Sequence, residues 1–177
     1  LPGLDVAHQL DGARDLQRGL VQDVLPAIED RYPIDRSRRV LIGHSWAGML
    51  VLHALAEGQN EFHGYLASSP ALWRLGDQLS ALEARMAART PPPAGKLFLC
   101  VGELEQPARD QGQRAHERGA LFQNLDRLRW LSQAIERRSY PELALHTRIF
   151  AGETHMSVLP LAITHGLGPM LRRTLEH

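Results

Sequence analysis

The apolar residues of this chain recur with two spacings, which alternate along the sequence. A four-residue repeat of apolar positions in segment 12–30 predicts an amphipathic helix that is kinked at Pro26. Strands are predicted from three short apolar runs and one alternating run, the last an edge strand: 39–43, 64–70, 96–102 and 143–150. Helices are predicted between and after the strands, at 46–57, 71–88, 121–138 and 156–175. This alternation predicts a mostly parallel sheet with helices on both faces, a three-layer α/β/α sandwich.

Ligands of such sheets bind beyond the carboxyl ends of the strands. The residues that follow the predicted strands are therefore the first candidates for a functional site. They are Ser45, Ser69 with Pro70, Glu103 or Glu105, and His155.

Ser45 lies in the segment Gly-His-Ser-Trp-Ala-Gly (43–48), between a predicted strand and a predicted helix. This is the setting of a G-x-S-x-G nucleophile elbow, whose sharp turn exposes the serine hydroxyl and aims the next backbone N–H, that of Trp46, at an oxyanion. Ala47 stands where the motif has its second glycine, so we expect an added methyl group at a crowded point. By itself, a serine flanked by glycines after a strand is more often a plain turn.

A serine hydroxyl becomes a good nucleophile only when a base accepts its proton, and histidine suits that task. His155 follows the last predicted strand and is distinguished from the other eight histidines by its place in the chain order. Hydrolases of this architecture follow the order serine, acid, histidine. Glu105 is the first choice for the acid, Glu103 the second and Asp110 the third, against the alternative that all are solvated loop charges.

Composition argues against several other classes of function. The 177 residues suffice for one domain (1–177), and 20 basic against 20 acidic residues argue against a nucleic-acid partner or a basic membrane patch. The longest apolar runs fall short of the roughly 18 residues that cross a bilayer, so no membrane partner is expected. A single cysteine, Cys100, excludes an internal disulfide, and we expect no metal or cofactor because no ligand spacing or phosphate loop is present.

Two tryptophans flank the candidate chemistry. Trp46 follows Ser45, and Trp73 follows the predicted strand 64–70. Each is a candidate lining residue of a substrate pocket. Trp73 could equally be a packing residue of the core, and for Trp46 packing is the commoner role. Cys100 lies within a predicted strand and is interpreted as a small buried apolar residue.

Four stretches, in order along the chain, resemble the putative-esterase group of the α/β hydrolases: 35–48, 62–73, 101–105 and 152–158. That group includes enterochelin esterases and related siderophore trilactone hydrolases, esterase D-type enzymes and mycolyltransferases. The resemblance implies Ser45 as nucleophile, His155 as base and Glu105 as acid. Some siderophore hydrolases of the group are thought to use a Ser-His dyad, so the acid stays open.

The resemblance also implies an N-terminal half that supplies several strands and a second oxyanion donor. This sequence begins just before the helix that precedes the elbow. We therefore expect the chain to be the C-terminal portion of the fold, with four strands where the whole fold has about eight.

These features together predict a serine carboxylic-ester hydrolase that acts through an acyl-enzyme, and the resemblance implies siderophore lactones or short acyl esters as its substrates. Two alternatives stay open: an acyltransferase with the same triad, and a non-catalytic hydrolase-like binding module. The partner is a small-molecule ester in the first case. The sequence leaves open the oligomeric state and the compartment, whether cytoplasm or periplasm.

Overall fold

One parallel sheet forms the centre of the molecule. The computed structural model describes residues 6–58, 61–76, 78–105 and 123–171. Its strands are β1 (Val40–His44), β2 (Gly64–Ser68), β3 (Gly95–Gly102) and β4 (Leu143–Phe150). They pair in the order β1-β2-β3-β4, all parallel, so the predicted four-stranded parallel sheet is confirmed, with β4 at one edge.

The part of the chain that the structure describes also contains six α-helices: α1 (Val6–Gly19), α2 (Leu25–Glu29), α3 (Trp46–Glu57), α4 (Gln78–Ala88), α5 (Asn124–Arg138) and α6 (Val158–Leu171). The predicted bounds of α3 agree with the structure. The predicted ends of the last two helices, at 121–122 and 172–175, lie outside the described residues.

Two helix predictions need correction. The continuous helix predicted at 71–88 is wrong at its start, because a separate 3-10 helix (Leu72–Arg74) precedes α4 and Gly76 lies between them with a φ of 49°. The kinked helix predicted at 12–30 is instead α1 and α2 joined by a π-helical segment, Leu20–Val24. Pro26 lacks an N–H and its ring displaces the carbonyl four residues earlier, which favours such a wide turn.

Alternate residues of β3 enter two separate apolar cores, one on each face of the sheet. Leu97 and Leu99 pack in the core covered by α3, α4 and α5. Phe98 and Cys100 pack in the smaller core covered by α6. This three-layer α/β/α arrangement confirms the predicted fold class.

Because the strands are parallel, their carboxyl ends all lie at the same end of the sheet. The chain segments that leave this end carry Ser45 after β1, Ser69 after β2, Glu105 after β3 and His155 after β4. None of the described helices combines the length and the apolar character that crossing a membrane requires.

Candidate active site

Ser45 occupies a strained turn between β1 and α3. Its backbone has φ 57° and ψ −115°, a conformation that side-chain-bearing residues rarely adopt. Two backbone hydrogen bonds hold the turn: the Ser45 N–H donates to the Ser68 carbonyl at 2.9 Å, and the Ala71 N–H donates to the Ser45 carbonyl at 3.0 Å. The turn therefore has the form of the predicted nucleophile elbow.

Two glycines permit the close return of α3 toward the sheet. A Cβ on Gly43 would overlap the backbone of Ala47, and a Cβ on Gly48 would lie 3.0 Å from the Cα of Pro70. Ala47 itself is exposed. The expectation of crowding at Ala47 is therefore wrong, because the position that must stay small is Gly48, one residue later.

The loops after β3 and β4 are hydrogen-bonded to each other, which brings acid and histidine together. The Glu103 N–H donates to the Phe150 carbonyl at 2.9 Å, and the Leu104 N–H donates to the Glu153 carbonyl at 2.9 Å. His155 then lies with its Nε2 3.0 Å from the Ser45 Oγ.

The other ring nitrogen of His155 contacts Glu105. His155 Nδ1 lies 2.9 Å from Glu105 Oε2, and only 3% of Glu105 is exposed. An ionised carboxylate only accepts hydrogen bonds, so Nδ1 carries the proton and Nε2 is free to accept one from Ser45. The three side chains form a continuous chain of hydrogen bonds with the direction that nucleophilic catalysis requires.

Glu105 has a pKa below its ordinary value. Burial raises the pKa, but hydrogen bonds from His155, Ser69, Asn124 and the Gly102 N–H outweigh burial and lower it. Three of these donors lie at 2.5 Å (Ser69 Oγ), 2.9 Å (Asn124 Nδ2) and 3.0 Å (Gly102 N) from the carboxylate. The carboxyl group is thus held ionised next to His155.

The other candidate acids are not in this arrangement. Glu103 is exposed, and its Oε2 accepts the Gly152 N–H at 3.0 Å, so it holds the loop that carries His155. Asp110 lies outside the described residues. Of the two glutamates, the structure brings Glu105 to the histidine.

Asn124 belongs to the site although the sequence did not single it out. Its side chain is fully buried at the start of α5, where Nδ2 donates to Glu105 and Oδ1 accepts the Leu72 N–H at 3.2 Å. These partners are 19 and 52 residues away along the chain, so no local pattern marks the residue.

His44 lies beside His155, with ring centroids 4.8 Å apart, and its Nδ1 is 3.1 Å from the Ser68 Oγ. Burial, followed by the proximity of His155, lowers the pKa of His44. A neutral His44 places no second positive charge against His155 when that ring accepts a proton.

Both candidate tryptophans lie at the site. The Trp73 ring meets the His155 ring edge-on at 5.3 Å and also packs against the larger core, so its packing role is seen and its pocket-lining role stays a prediction. Trp46 is 37% exposed, and the Arg74 guanidinium carbon lies 4.8 Å from the centre of its ring. The Trp46 N–H belongs to the first turn of α3, where backbone N–H groups have no acceptor within the helix.

A cysteine nucleophile and a bound metal ion both find little support among the described residues. Cys100 is fully buried, and burial raises the pKa of its thiol to about 11, which disfavours the nucleophilic thiolate. Within the described ranges, no three His, Cys, Asp or Glu side chains are grouped so that they could hold a metal ion.

Comparison with known proteins gives consistent matches. The family model described as Putative esterase matches residues 4–147. The ferri-bacillibactin esterase BesA of Bacillus subtilis is 30% identical over 163 residues, which are 88% of this chain and 50% of BesA. The siderophore triacetylfusarinine C esterase of Aspergillus fumigatus is 30% identical over 156 residues, 81% of this chain and 53% of that protein.

Solved structures share the fold. The siderophore hydrolase EstB from Aspergillus nidulans superposes with a TM-score of 0.76 at 28% identity, covering 93% of this chain and 60% of EstB. The BES protein from Bacillus cereus has a TM-score of 0.77 at 24% identity, covering 92% of this chain and 56% of that one. The chain spans about half the length of the curated relatives that it matches.

Proposed function

Because the chain belongs to the Putative esterase family, we propose that it hydrolyses carboxylic esters with Ser45 as nucleophile, His155 as general base and Glu105 as the acid. One observation carries the proposal. The Ser45 Oγ lies 3.0 Å from His155 Nε2 while His155 Nδ1 lies 2.9 Å from Glu105, so all three groups are already in bonding contact. We assign this activity to a single catalytic domain, of which residues 1–177 form the C-terminal portion without the N-terminal strands.

The first half-reaction forms an acyl-enzyme. The Ser45 oxygen attacks the ester carbonyl carbon while His155 Nε2 takes the hydroxyl proton. The carbonyl oxygen becomes an oxyanion, to which the Trp46 N–H donates a hydrogen bond. The carbon–oxygen bond to the alcohol then breaks, and His155 returns its proton to the departing alcohol.

The second half-reaction releases the acid. Water attacks the acyl group on Ser45, and His155 takes a proton from that water. The bond between the acyl carbon and the Ser45 oxygen then breaks, His155 returns the proton to that oxygen, and the carboxylic acid is released. Glu105 stays ionised throughout, fixes the proton on Nδ1 and stabilises the imidazolium that forms twice in each cycle. Its lowered pKa supports this role.

The names of the relatives point to a substrate class. BesA is named a ferri-bacillibactin esterase and the Aspergillus fumigatus relative a siderophore triacetylfusarinine C esterase. We therefore propose the ester or lactone bonds of siderophores as substrates, with short acyl esters as simple substitutes in assays.

The test is hydrolysis of the para-nitrophenyl ester of butyric acid by the wild type and by Ser45→Ala. We expect Ser45→Ala to lose a factor of about 10³ or more in kcat because the acyl-enzyme cannot form. Ser37→Ala serves as the control, since that exposed hydroxyl lies before β1, at the opposite end of the strand. Equal rates for Ser45→Ala and the wild type would remove Ser45 from the mechanism.

A further inference from the structure

Arg74 places a positive charge against the ring of Trp46, the residue that follows Ser45. We propose that the Arg74–Trp46 pair is a specificity-determining element, which favours esters carrying a negative charge close to the reacting carbonyl. The inference rests on the proposed function, because it concerns which esters reach Ser45.

The position of Arg74 is fixed by a short turn. The 3-10 helix Leu72–Arg74 presents Trp73 to the ring of His155 and Arg74 to the ring of Trp46. The turn is anchored by the Leu72 N–H, which donates to the buried Asn124 side chain at 3.2 Å. The guanidinium is therefore held against the residue that directly follows the nucleophile.

The contact with the Trp46 ring does not occupy the hydrogen-bonding groups of Arg74. A guanidinium contacts an aromatic ring through its flat face, whereas its five N–H donors point outward in the plane. Arg74 is exposed, and no carboxylate among the described residues forms an ion pair with it. Its donors can thus bind a carboxylate or phenolate of a substrate.

Exposed apolar residues are sequence neighbours of the three candidate residues. They are Trp46 next to Ser45, Leu104 next to Glu105 and Met156 next to His155, at 37%, 53% and 72% exposure. Of these, Trp46 is in contact with Arg74, so the pair combines an apolar ring with a positive charge. Such a pair favours an ester that carries an aromatic or aliphatic body beside its negative charge.

The charges around the site are distributed unequally. Glu103 is exposed on the loop after β3, on the side of β4, and its carboxylate holds the Gly152 N–H. Arg74 follows β2 and contacts Trp46, which follows β1, so it belongs to the other half of the sheet. A bound anionic ester is therefore attracted toward Arg74 and repelled from Glu103, which favours one orientation of its carbonyl over Ser45.

The experiment compares two matched chromogenic esters: acetoxy-nitrobenzoic acid, which carries a carboxylate, and its neutral methyl ester. We expect Arg74→Gln to lower kcat/KM for the anionic ester about fivefold more than for the neutral ester, mainly through KM, as loss of a favourable exposed ion pair would do. In the wild type, raising KCl from about 0.05 to about 0.5 M should lower kcat/KM for the anionic ester relative to kcat/KM for the neutral ester. Arg129→Gln on α5 removes an equal charge away from the site and should leave the ratio unchanged.

Binding separates this inference from the proposed function. In the Ser45→Ala background, the acetamido analogues of the two esters are titrated by tryptophan fluorescence, with and without Arg74→Gln. A selective loss of affinity for the anionic analogue supports the role of Arg74 even if no ester is hydrolysed. Equal changes for both analogues, or no change for either, would overturn it whatever the hydrolysis assay shows.

Discussion

At the scale of single residues, Glu105 accepts four hydrogen bonds through two carboxylate oxygens. Oε2 accepts from His155 and Asn124, and Oε1 accepts from Ser69 and the Gly102 N–H. A glutamine side chain has an NH2 group in place of one carboxylate oxygen, so in either orientation that NH2 group faces at least one N–H donor of the protein. The site is therefore built for a carboxylate.

Glu105→Gln should accordingly impair catalysis much more than folding. We expect a fall in kcat of about 10³ to 10⁴, because His155 loses the partner that fixes its tautomer and stabilises its charged form. The free energy of unfolding should fall by about 1–3 kcal/mol, the cost of an unsatisfied buried donor. Kinetics with a chromogenic ester and urea denaturation measure the two effects.

Glu103→Gln is the matched control for this variant. Glu103 is exposed and contacts the Gly152 N–H, an interaction that a glutamine carbonyl can retain. Activity within about threefold of wild type is expected, as for most exposed substitutions. A large loss in Glu103→Gln together with an active Glu105→Gln would reassign the acid.

The sequence could predict some of these residues and not others. Ser45 and His155 follow from the glycine-flanked turn and the chain order, because both signals are local. The choice between Glu105 and Glu103 could not be made from the sequence. It depends on the hydrogen bonds between the loops after β3 and β4, which decide which of the two side chains points inward. Asn124 and its contact with Glu105 depend on tertiary packing alone.

At the scale of elements, the interface between α3 and α4 contains a buried histidine that the mechanism does not use. His53 of α3 is 5% exposed, and Arg85 of α4 lies 3.5 Å from its Nδ1. Burial first, and then Arg85, lowers the pKa of His53 to about 4, with smaller effects from Glu57 and Arg14. The folded protein therefore keeps His53 neutral.

This histidine makes stability depend on pH in a defined direction. Between pH 6.5 and about 4 the unfolded chain binds a proton at His53 that the folded chain does not, so stability falls as the pH falls. At pH 5 the loss relative to pH 7 is about 2 kcal/mol. Urea denaturation of His53→Leu should show a pH dependence that is smaller by about this amount.

An exposed histidine provides the comparison for that variant. His146→Leu on β4 should retain the pH dependence of the wild type, since its ring is exposed. If His53→Leu and the wild type lose stability equally between pH 7 and 5, the charge state inferred for His53 is wrong.

Element type was more predictable than element ends. The apolar runs predicted all four strands, and α3 was predicted with its observed bounds because a glycine turn starts it and Gly58, with φ 82°, ends it. The start of α4 was missed because the apolar pattern continues through Leu72–Arg74, where a tight turn interrupts the helix. The spacing of apolar residues indicates which face of a segment is buried, but it does not show where a helix is interrupted.

At the scale of the whole molecule, the candidate site exists only because the carboxyl ends of the four parallel strands lie at the same end of the sheet. The hydrogen bond between Ser45 and His155 joins residues 110 positions apart, and the one between His155 and Glu105 spans 50. The family match confirms the resemblance drawn from the sequence, and the solved structures share the fold. The single-domain assignment and the source of a second oxyanion donor stay predictions.

The most direct measurement of the central claim is mass spectrometry of the protein after treatment with a fluorophosphonate. Such reagents modify a serine that an adjacent base has activated. We predict one adduct, located on Ser45, absent in Ser45→Ala and formed at least about 10²-fold more slowly in His155→Ala. A folded protein that gains no adduct, or gains it elsewhere while Ser45 stays unmodified, would contradict the assignment of Ser45 as an activated nucleophile.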